Sequence, residues 1–537
     1  MSVPYYQRIS RYSELEDPKE RAIYRVLEIF PGALSWGTIL LGVLGAWLFP
    51  VATAFLIVVF VMYWVFRLVY LSIHLAASFR QMRKNEKIEW VQKLQELPKD
   101  RYTLPLPAWS DMHHLVLLPT YNESLPILRE SLRALRQNNY PKNHMIVVLG
   151  IEERAGQEAR NIAETLRQEF RNDFLNFVVT VHPADIPGEI PGKGSNEAWA
   201  ARRAQELIDQ MKIPYESVFV TSLDADTVVG PQYFSCLTHH ILTTARPLRV
   251  SFQPVPVFLN NVWDASAISR IFAFNSTFWH MMNQQRPERL ITFSSHSMSF
   301  RALVDVGLHQ PNVVSEDSRI FWQCLFRYDG DYRVQPISYP ISMDANAAPT
   351  LVKTIQNIFK QQRRWAYGTE NIPYSLFGFW KNRNIPLSKA ISYEIEHIFG
   401  FWSWATASVL IFLLGWLPLV LGGSQFSDSL ASYNLPRFVS ITLRFAMVGM
   451  IGSMFLTILL VPKDGGVQKR KKLFLVLQWF LLPFIMLFAS FPALEAQTRL
   501  MLGKYLGFWS TPKYRKATQD EDALPFLPAS SSQKGIL

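Results

Sequence analysis

Long stretches without charge constrain this chain more than any other feature of its sequence. Residues 32–66 contain no Asp, Glu, Lys or Arg. Because one membrane-crossing helix needs about 20 apolar residues, this stretch is too long for one helix and predicts two. Pro50 lies near its middle and suits the turn between them. Arg80 then marks the cytosolic side. We therefore expect two transmembrane helices within residues 32–80, behind a cytosolic arm of residues 1–31.

Residues 398–494 predict three further transmembrane segments. The apolar runs are residues 398–422, 445–462 and 473–494. The basic loop 463–472 should be cytosolic, so one more crossing would place the tail 495–537 outside. This tail is also basic, however, which predicts the cytosolic side. A re-entrant hairpin at Pro483 would resolve this conflict by returning the tail to the cytosolic side. Two alternatives therefore stay open, five membrane spans or a terminal hairpin. The end of the tail is rich in Ser and Pro and is expected to be disordered.

Composition narrows the class of protein. With 537 residues the chain is too long for one hydrophobic core. The net charge of +11 could indicate nucleic acid, but basic residues cluster beside apolar segments, as at residues 469–472, which predicts contact with membrane lipids instead. Cys236 and Cys324 offer neither a disulfide framework nor a zinc site. The charged arm before the first apolar run is too long for the start of a cleavable signal peptide. We expect no nucleic acid partner and a reduced, cytosolic central domain.

Residues 85–345 have the pattern of an α/β domain. Short apolar strands alternate with amphipathic helices, which predicts a mostly parallel sheet with helices on both faces. The predicted strands are residues 114–119, 145–151, 174–181 and 217–223, and the predicted helices are residues 125–137, 155–170 and 195–211. In such a sheet the ligand lies beyond the carboxyl ends of the strands.

Two carboxylates follow the fourth predicted strand. Asp224 and Asp226 are two residues apart, and in an extended chain they would face the same way. Because adjacent carboxylates repel, a hard cation such as Mg²⁺ or Mn²⁺, shared with substrate phosphates, is a natural partner. The alternative is that the pair caps a turn, where Asp is common.

Polar residues also follow the other predicted strands. Tyr121 offers a stacking face and Glu123 an acceptor for ribose hydroxyls, unless this stretch is only a turn before a helix. Glu152 could accept a hydrogen bond from a nucleotide base, and Lys193 beside a helix N-terminus could bind phosphate. The residues that we assign to nucleotide binding are Pro119, Thr120, Tyr121, Glu123, Glu152 and Lys193.

Two motifs further along the chain complete the set. Glu316 and Asp317 could supply a general base, although acids at a helix start are also common. Gln361, Arg364 and Trp365 form a QxxRW pattern, in which the guanidinium could neutralise a leaving diphosphate and the indole could stack on a sugar. A basic interface helix with a Trp anchor is the alternative. We expect residues 346–397 to form amphipathic helices at the membrane surface.

The ordered set PTYNE, Glu152-Glu153, GKGSN, DAD, SED and QQRRW resembles the membrane-embedded family 2 glycosyltransferases, the group of cellulose, chitin and hyaluronan synthases. The resemblance spans about residues 110–370 and implies a GT-A fold that binds a nucleotide-diphospho-sugar. It implies that Asp226 coordinates a divalent metal with Asp224 near the nucleotide, and that Asp317 is the base. By the same resemblance, the QxxRW residues clamp the diphosphate and the acceptor.

Several residues depart from the family pattern. Glu152-Glu153 stand where the family has two aspartates, and Ser315 stands where it has threonine. His296 is unusual in the predicted acceptor loop; it could touch the acceptor or have a structural role. No cyclic-dinucleotide module is recognisable after the catalytic region.

The resemblance implies inverting, metal-dependent sugar transfer at the plasma or inner membrane by a multi-pass protein. The expected acceptor is a growing polysaccharide, and the alternative is a lipid or lipid-linked acceptor. Two other classes compete: a transporter with a nucleotide-binding domain, and a catalytically silent scaffold. Few ionisable residues occur in the predicted spans, which argues against transport. All acidic and basic motif positions are occupied, which argues against a silent scaffold.

Overall fold

The computed structural model describes residues 4–461 and 469–515. The chain divides into two compact units. The first, here called the sheet unit, consists of Met1–Gln7, Ser78–Thr354 and Ser510–Leu537. The second, here called the helical unit, consists of Arg8–Ala77 and Ile355–Trp509. The predicted α/β domain, residues 85–345, lies within the central segment of the sheet unit.

One eight-stranded sheet forms the centre of the sheet unit, with strand order β3-β2-β1-β4-β7-β6-β8-β5. The strands are β1 His113–Thr120, β2 Met145–Glu152, β3 Asn176–His182, β4 Val218–Ser222, β5 Val228–Val229, β6 Val250–Val257, β7 Ser297–Ser299 and β8 Arg333–Ser342. Strand β1 pairs in parallel with β2 and β4, and β2 pairs in parallel with β3. Strand β7 is antiparallel to both neighbours and β5 is antiparallel to β8, but β6 is parallel to β8, so four of the seven strand pairs are parallel and the predicted, mostly parallel α/β sheet is confirmed.

Nineteen helices are described outside the gap at residues 462–468. They are α1 Tyr5–Arg8, α2 Pro18–Leu48, α3 Pro50–Asn85, α4 Trp90–Gln95, α5 Leu125–Gln137, α6 Gly156–Phe170, α7 Lys193–Gln210, α8 Tyr233–Thr243, α9 Ala267–Asn283, α10 Phe300–Asp305, α11 Glu316–Arg327, α12 Leu351–Ala366, α13 Asn371–Lys381, α14 Leu387–Phe412, α15 Leu417–Leu421, α16 Gly423–Ser427, α17 Leu430–Leu460, α18 Lys469–Leu477 and α19 Leu482–Met501. Helix α5 has the predicted bounds, and α6 and α7 begin within two residues of the predicted positions.

Helices cover both faces of the sheet. On one face, Leu149 of β2 joins a buried core with Leu132 of α5 and Leu166 of α6. On the other, a Cβ at Gly150 would approach the Oδ1 atom of Asn196 in α7 to 2.6 Å. Glycine therefore lets α7 pack closely against the end of β2.

Strands β6 and β8 were not predicted. Strand β6 contains Pro254 and Pro256, and β8 contains Pro336 and Pro340. Proline cannot donate a ladder hydrogen bond, which argues against a strand. The structure accommodates these prolines with a register shift between Gln253 and Val255, where β6 pairs with β8.

The helical unit holds all or most of four helices that, among the described residues, are long and apolar enough to cross a membrane: Pro18–Leu48, Pro50–Asn85, Leu387–Phe412 and Leu473–Met501, the last of which runs from within α18 to the end of α19. The predicted turn at Pro50 separates the first two. Helix α2 begins within the predicted arm of residues 1–31. A single helix, α14, lies where the sequence predicted an interface helix before residue 398 and a separate membrane span after it. Within this unit, the Arg25 guanidinium donates to the carbonyls of Leu500 and Met501, so the end of α19 lies beside the charged start of α2.

Candidate active site

The site begins where the central parallel strands of the sheet unit end. The Asn196 amide donates to the carbonyl of Gly150 at 2.8 Å and to that of Thr120 at 3.3 Å. These bonds tie the start of α7 to the ends of β1 and β2. Because β4 lies beside β1, the acidic turn that follows β4 opens at the same edge of the sheet.

Asp224 and Asp226 lie in this turn, outside the strand itself. Strand β4 ends at Ser222, and the Thr227 N–H donates to the Asp224 carbonyl at 2.9 Å. Both aspartates therefore lie outside the strand whose alternation was the reason to expect them to face one ligand, and their shared ligand stays a prediction. Asp226 is fully buried, whereas 27% of the Asp224 side chain is exposed.

Lys193 joins the two predicted acidic motifs. Its Nζ atom lies 2.8 Å from Asp224 Oδ1, and 2.8 and 2.9 Å from the two carboxylate oxygens of Asp317. It also lies 3.6 Å from Glu316 Oε1. Burial opposes the charge of Lys193, but these carboxylates raise its pKa well above the usual value. Burial also opposes ionisation of Asp224, yet Lys193 and Lys513 hold its pKa below the usual range.

Glu197 is a site residue that the sequence analysis missed. One carboxylate oxygen from each of Glu197, Glu316 and Asp317 lies within 4.8 Å of the others, a grouping that could hold a metal ion. Glu197 is fully buried, and burial raises its pKa well above the usual value. Its Oε2 atom lies 3.8 Å from Nε2 of the buried His309. The available signal was its position one helical turn after Lys193.

Asp226 meets a second lysine that the sequence analysis missed. Its Oδ2 atom accepts hydrogen bonds from Lys513 Nζ at 2.7 Å and from the Asp344 N–H at 2.8 Å. Lys513 belongs to the tail, whose basic residues we used only to assign a membrane side. Asp344 follows the end of β8 and is buried.

Further contacts within the sheet unit hold this tail segment. The Arg515 guanidinium pairs with Asp344, with Nη2 at 2.6 Å from Oδ1, and also with Glu130 of α5. The Tyr514 carbonyl accepts a hydrogen bond from the Asn261 amide at 3.1 Å. Residues 510–515 therefore form part of the acidic edge of the site.

The acidic edge fits a hard divalent cation by the chemistry of its donors. Asp226 Oδ1 is buried and has no hydrogen-bond partner within residues 4–461 and 469–515. The buried carboxylate of Asp344 lies beside Asp226, and Asp224 lies on the same turn as Asp226. Carboxylate oxygens of this kind are the preferred ligands of Mg²⁺ and Mn²⁺.

The residues after β1 and β2 form a local network. Glu123 Oε2 accepts hydrogen bonds from the Thr120 hydroxyl at 2.7 Å and the Tyr121 N–H at 2.8 Å, as the turn alternative requires. The Arg154 guanidinium lies 4.3 Å from the centre of the Tyr121 ring and donates to Glu152 at 2.5 Å. Nucleotide contacts by these residues and by Pro119 stay predictions.

The QxxRW residues lie on α12, in the helical unit. Arg364 lies 4.9 Å from the centre of the Phe508 ring, and the preceding Arg363 pairs with Glu495 at 2.8 Å. Gln361 and Trp365 flank them on the same helix. The proposed diphosphate and acceptor contacts of these residues stay predictions. In the sheet unit, the buried His296 donates from Nδ1 to the Phe293 carbonyl at 3.0 Å, in keeping with its structural alternative.

A mostly parallel α/β sheet with an acidic cluster beyond its carboxyl edge is typical of α/β enzymes, whose ligands bind at that edge. The family model for "Glycosyl transferase family group 2" matches residues 219–493, from β4 to α19. Because this match covers half of the chain, the protein belongs to that family. It is therefore a glycosyltransferase, as predicted. No curated protein matches the sequence.

The structure is also similar to solved structures at low identity. One is the mannosyltransferase PcManGT from Pyrobaculum calidifontis in complex with GDP-Man and Mn²⁺, with 15% identity, a TM-score of 0.39, and coverage of 71% of this chain and 96% of that chain. Another is residues 1–349 of S. aureus TarS in complex with UDP-GlcNAc, with 12% identity, a TM-score of 0.35, and coverage of 64% and 91%.

Proposed function

We propose that this glycosyltransferase moves a sugar, with inversion, from a nucleotide-diphospho-sugar to a growing polysaccharide at the membrane surface. The observation that supports the proposal best is the bridge formed by Lys193. Its ammonium joins Asp224 of the predicted donor site to Asp317, the predicted base, through contacts of 2.8–2.9 Å. Donor binding and proton removal would therefore take place at one edge of the sheet.

Asp317 would act as the general base. It would accept the proton of the acceptor hydroxyl as the new glycosidic bond forms and the nucleoside diphosphate leaves, so that one displacement inverts the anomeric carbon. A positioned base contributes about 10²–10⁴-fold to such a rate. While Lys193 donates to both oxygens of Asp317, this carboxylate is a weak acceptor. A donor diphosphate would compete for the ammonium and leave Asp317 free to take the proton.

The remaining charges would serve the leaving group. A divalent cation held by Asp226, with Asp224 near the nucleotide, would offset charge on the diphosphate. Lys193 and Arg364 would add fixed positive charges for the same purpose. Gln361 and Trp365 would position the acceptor, with the indole stacked on a sugar ring.

The apolar helices support an integral, multi-pass protein with its sheet unit in the cytosol. The contact of Arg25 with the end of α19 supports a cytosolic tail, as a terminal hairpin would give. This arrangement suits a polymer that leaves through the bilayer. A lipid or lipid-linked acceptor is the second candidate, because it would reach the same membrane surface.

The test is a screen of nucleotide-sugars with Mg²⁺ or Mn²⁺, followed by mass analysis of the product. In Asp317→Asn, transfer should fall by about 10²-fold or more while donor binding stays within about threefold. Asp100→Asn, at an exposed position of the same unit, is the matched control. Normal turnover by Asp317→Asn would refute the assignment of Asp317 as the general base. Full activity of the wild type in the presence of a metal chelator would refute the metal dependence. A single sugar on an extracted lipid would favour the second acceptor.

A further inference from the structure

A cavity of about 410 Å³ lies between α2 and α19 in the helical unit. We call it the Trp36 groove. Its apolar lining consists of Trp36, Phe491, Leu494 and Leu502, and its polar lining consists of Glu495, Thr498, Arg499 and Lys504. The Trp36 indole N–H donates to the Thr498 hydroxyl at 2.8 Å, so the ring that forms one wall is held in place.

The apolar residues of the Trp36 groove, here called the apolar stripe, come from α2, α19 and the end of α19. Phe491 and Leu494 are three residues apart and share one face of α19, and Leu502 caps that helix directly after Met501. Trp36 is 44% exposed, Phe491 49% and Leu502 56%. Both helices are apolar enough to cross a membrane. Such a stripe therefore suits a hydrocarbon chain rather than water.

The polar residues at the groove and their ion-pair partners have an excess of positive charge. Glu495 Oε1 accepts hydrogen bonds from Arg499 Nε at 2.7 Å and from Arg363 Nη1 at 2.8 Å, so one carboxylate serves two guanidiniums. Lys504 is exposed and forms no ion pair with any residue in the described ranges 4–461 and 469–515. Two positive charges are left beside the apolar stripe.

We infer that the Trp36 groove binds an anionic phospholipid of the bilayer. The acyl chain would lie along the apolar stripe, and the phosphate would accept hydrogen bonds from Arg499 and Lys504. The position along the chain agrees, because Trp36 lies four residues into the uncharged stretch that begins at Gly32, where headgroups meet hydrocarbon. A basic residue near an anionic membrane surface contributes about 1 kcal/mol, or about fivefold in affinity. This site does not depend on the proposed sugar transfer.

The test measures quenching of Trp36 fluorescence by brominated lipids in the purified full-length protein. The signal of Trp36 is the difference between wild type and Trp36→Phe in the same detergent. Brominated phosphatidylglycerol should quench it at a lower mole fraction than brominated phosphatidylcholine. The Arg499→Gln and Lys504→Gln variants should each reduce this preference about fivefold. Arg499→Lys should keep it, because the charge is retained.

Arg437→Gln and Arg444→Gln, at exposed positions of α17, are the matched controls and should keep the preference. Lys504 follows the end of α19, so its variant tests the site without disturbing a helix. Equal quenching by the two lipids, or unchanged preference in Lys504→Gln, would overturn the inference. Reversal of the quenching by soluble glycerol phosphate would also overturn it, because that result would identify a phosphate site that needs no lipid.

Discussion

Lys193→Met is the sharpest test of how the acidic cluster is held together. The lysine side chain is 11% exposed and bonds to Asp224 and Asp317. Removing one partner of a fully buried ion pair costs about 3–5 kcal/mol, because the other charge stays uncompensated. Asp224 is 27% and Asp317 22% exposed, so water recovers part of this cost. We expect a loss of roughly 2–3 kcal/mol in the free energy of unfolding.

The assay is thermal unfolding of the purified protein in detergent without added metal. For a unit of roughly 310 residues, the expected loss corresponds to a decrease of about 3–5 °C in Tm. Lys99→Met, at an exposed position of the same unit, should unfold within about 1–2 °C of wild type, since surface changes are usually worth under 0.5 kcal/mol.

A second substitution separates charge from packing. Glu197 Oε1 lies 3.8 Å from Lys193 Nζ and forms no hydrogen bond within the described residues; burial raises its pKa, and the lysine is the cation that opposes this rise. Lys193→Met together with Glu197→Gln should therefore lose less stability than the sum of the two single changes, with a coupling of about 1 kcal/mol. If Lys193→Met unfolds at the same temperature as Lys99→Met, the lysine does not organise the cluster and the reasoning is refuted.

Two further predictions follow from the same unit. In Lys513→Ala, the ammonium 2.7 Å from Asp226 is removed, so the affinity for Mn²⁺, measured by electron paramagnetic resonance, should increase about tenfold. The control Lys212→Ala should leave this affinity unchanged. Equal Mn²⁺ affinities of Lys513→Ala and wild type would count against a metal at Asp226. Burial, with smaller effects from neighbouring histidines, lowers the pKa of His114 to about 3. The unfolded chain therefore binds more protons than the folded one as pH falls below about 6.5, and stability should decrease by roughly 2–3 kcal/mol between pH 6.5 and 4.5. His114→Gln, which can keep a hydrogen bond to Thr238, should weaken this pH dependence, and an unchanged pH slope would contradict the assignment.

The parts of the fold that the sequence predicted are those with a local physical signal. Strands β1, β2 and β4 are uninterrupted apolar runs, and the amphipathic period of α5 predicts its bounds. Strands β6 and β8 contain prolines, whose low strand propensity argues against the observed strands. Tertiary packing and a register shift outweigh this low propensity.

The site was predicted in the same uneven way. Asp224, Asp317 and Lys193 occur in short motifs, and the structure brings them together. Lys513 is 287 residues from Asp226, so no local pattern indicates that they meet. Glu197 was missed because its burial follows from packing around α7, which a single sequence does not show. Charge pairs between residues far apart in the chain are therefore the part of the site that the sequence did not predict.

The contact of Lys513 with Asp226 sets the order in which the site can be completed. Protein synthesis runs from the N-terminus, so the ribosome makes residues 510–515 after every apolar helix described above, including α19. During translation, the acidic edge of the sheet exists before the tail lysine and arginine that neutralise it. The site therefore acquires its full set of charges only after the last apolar helix described here has been synthesised.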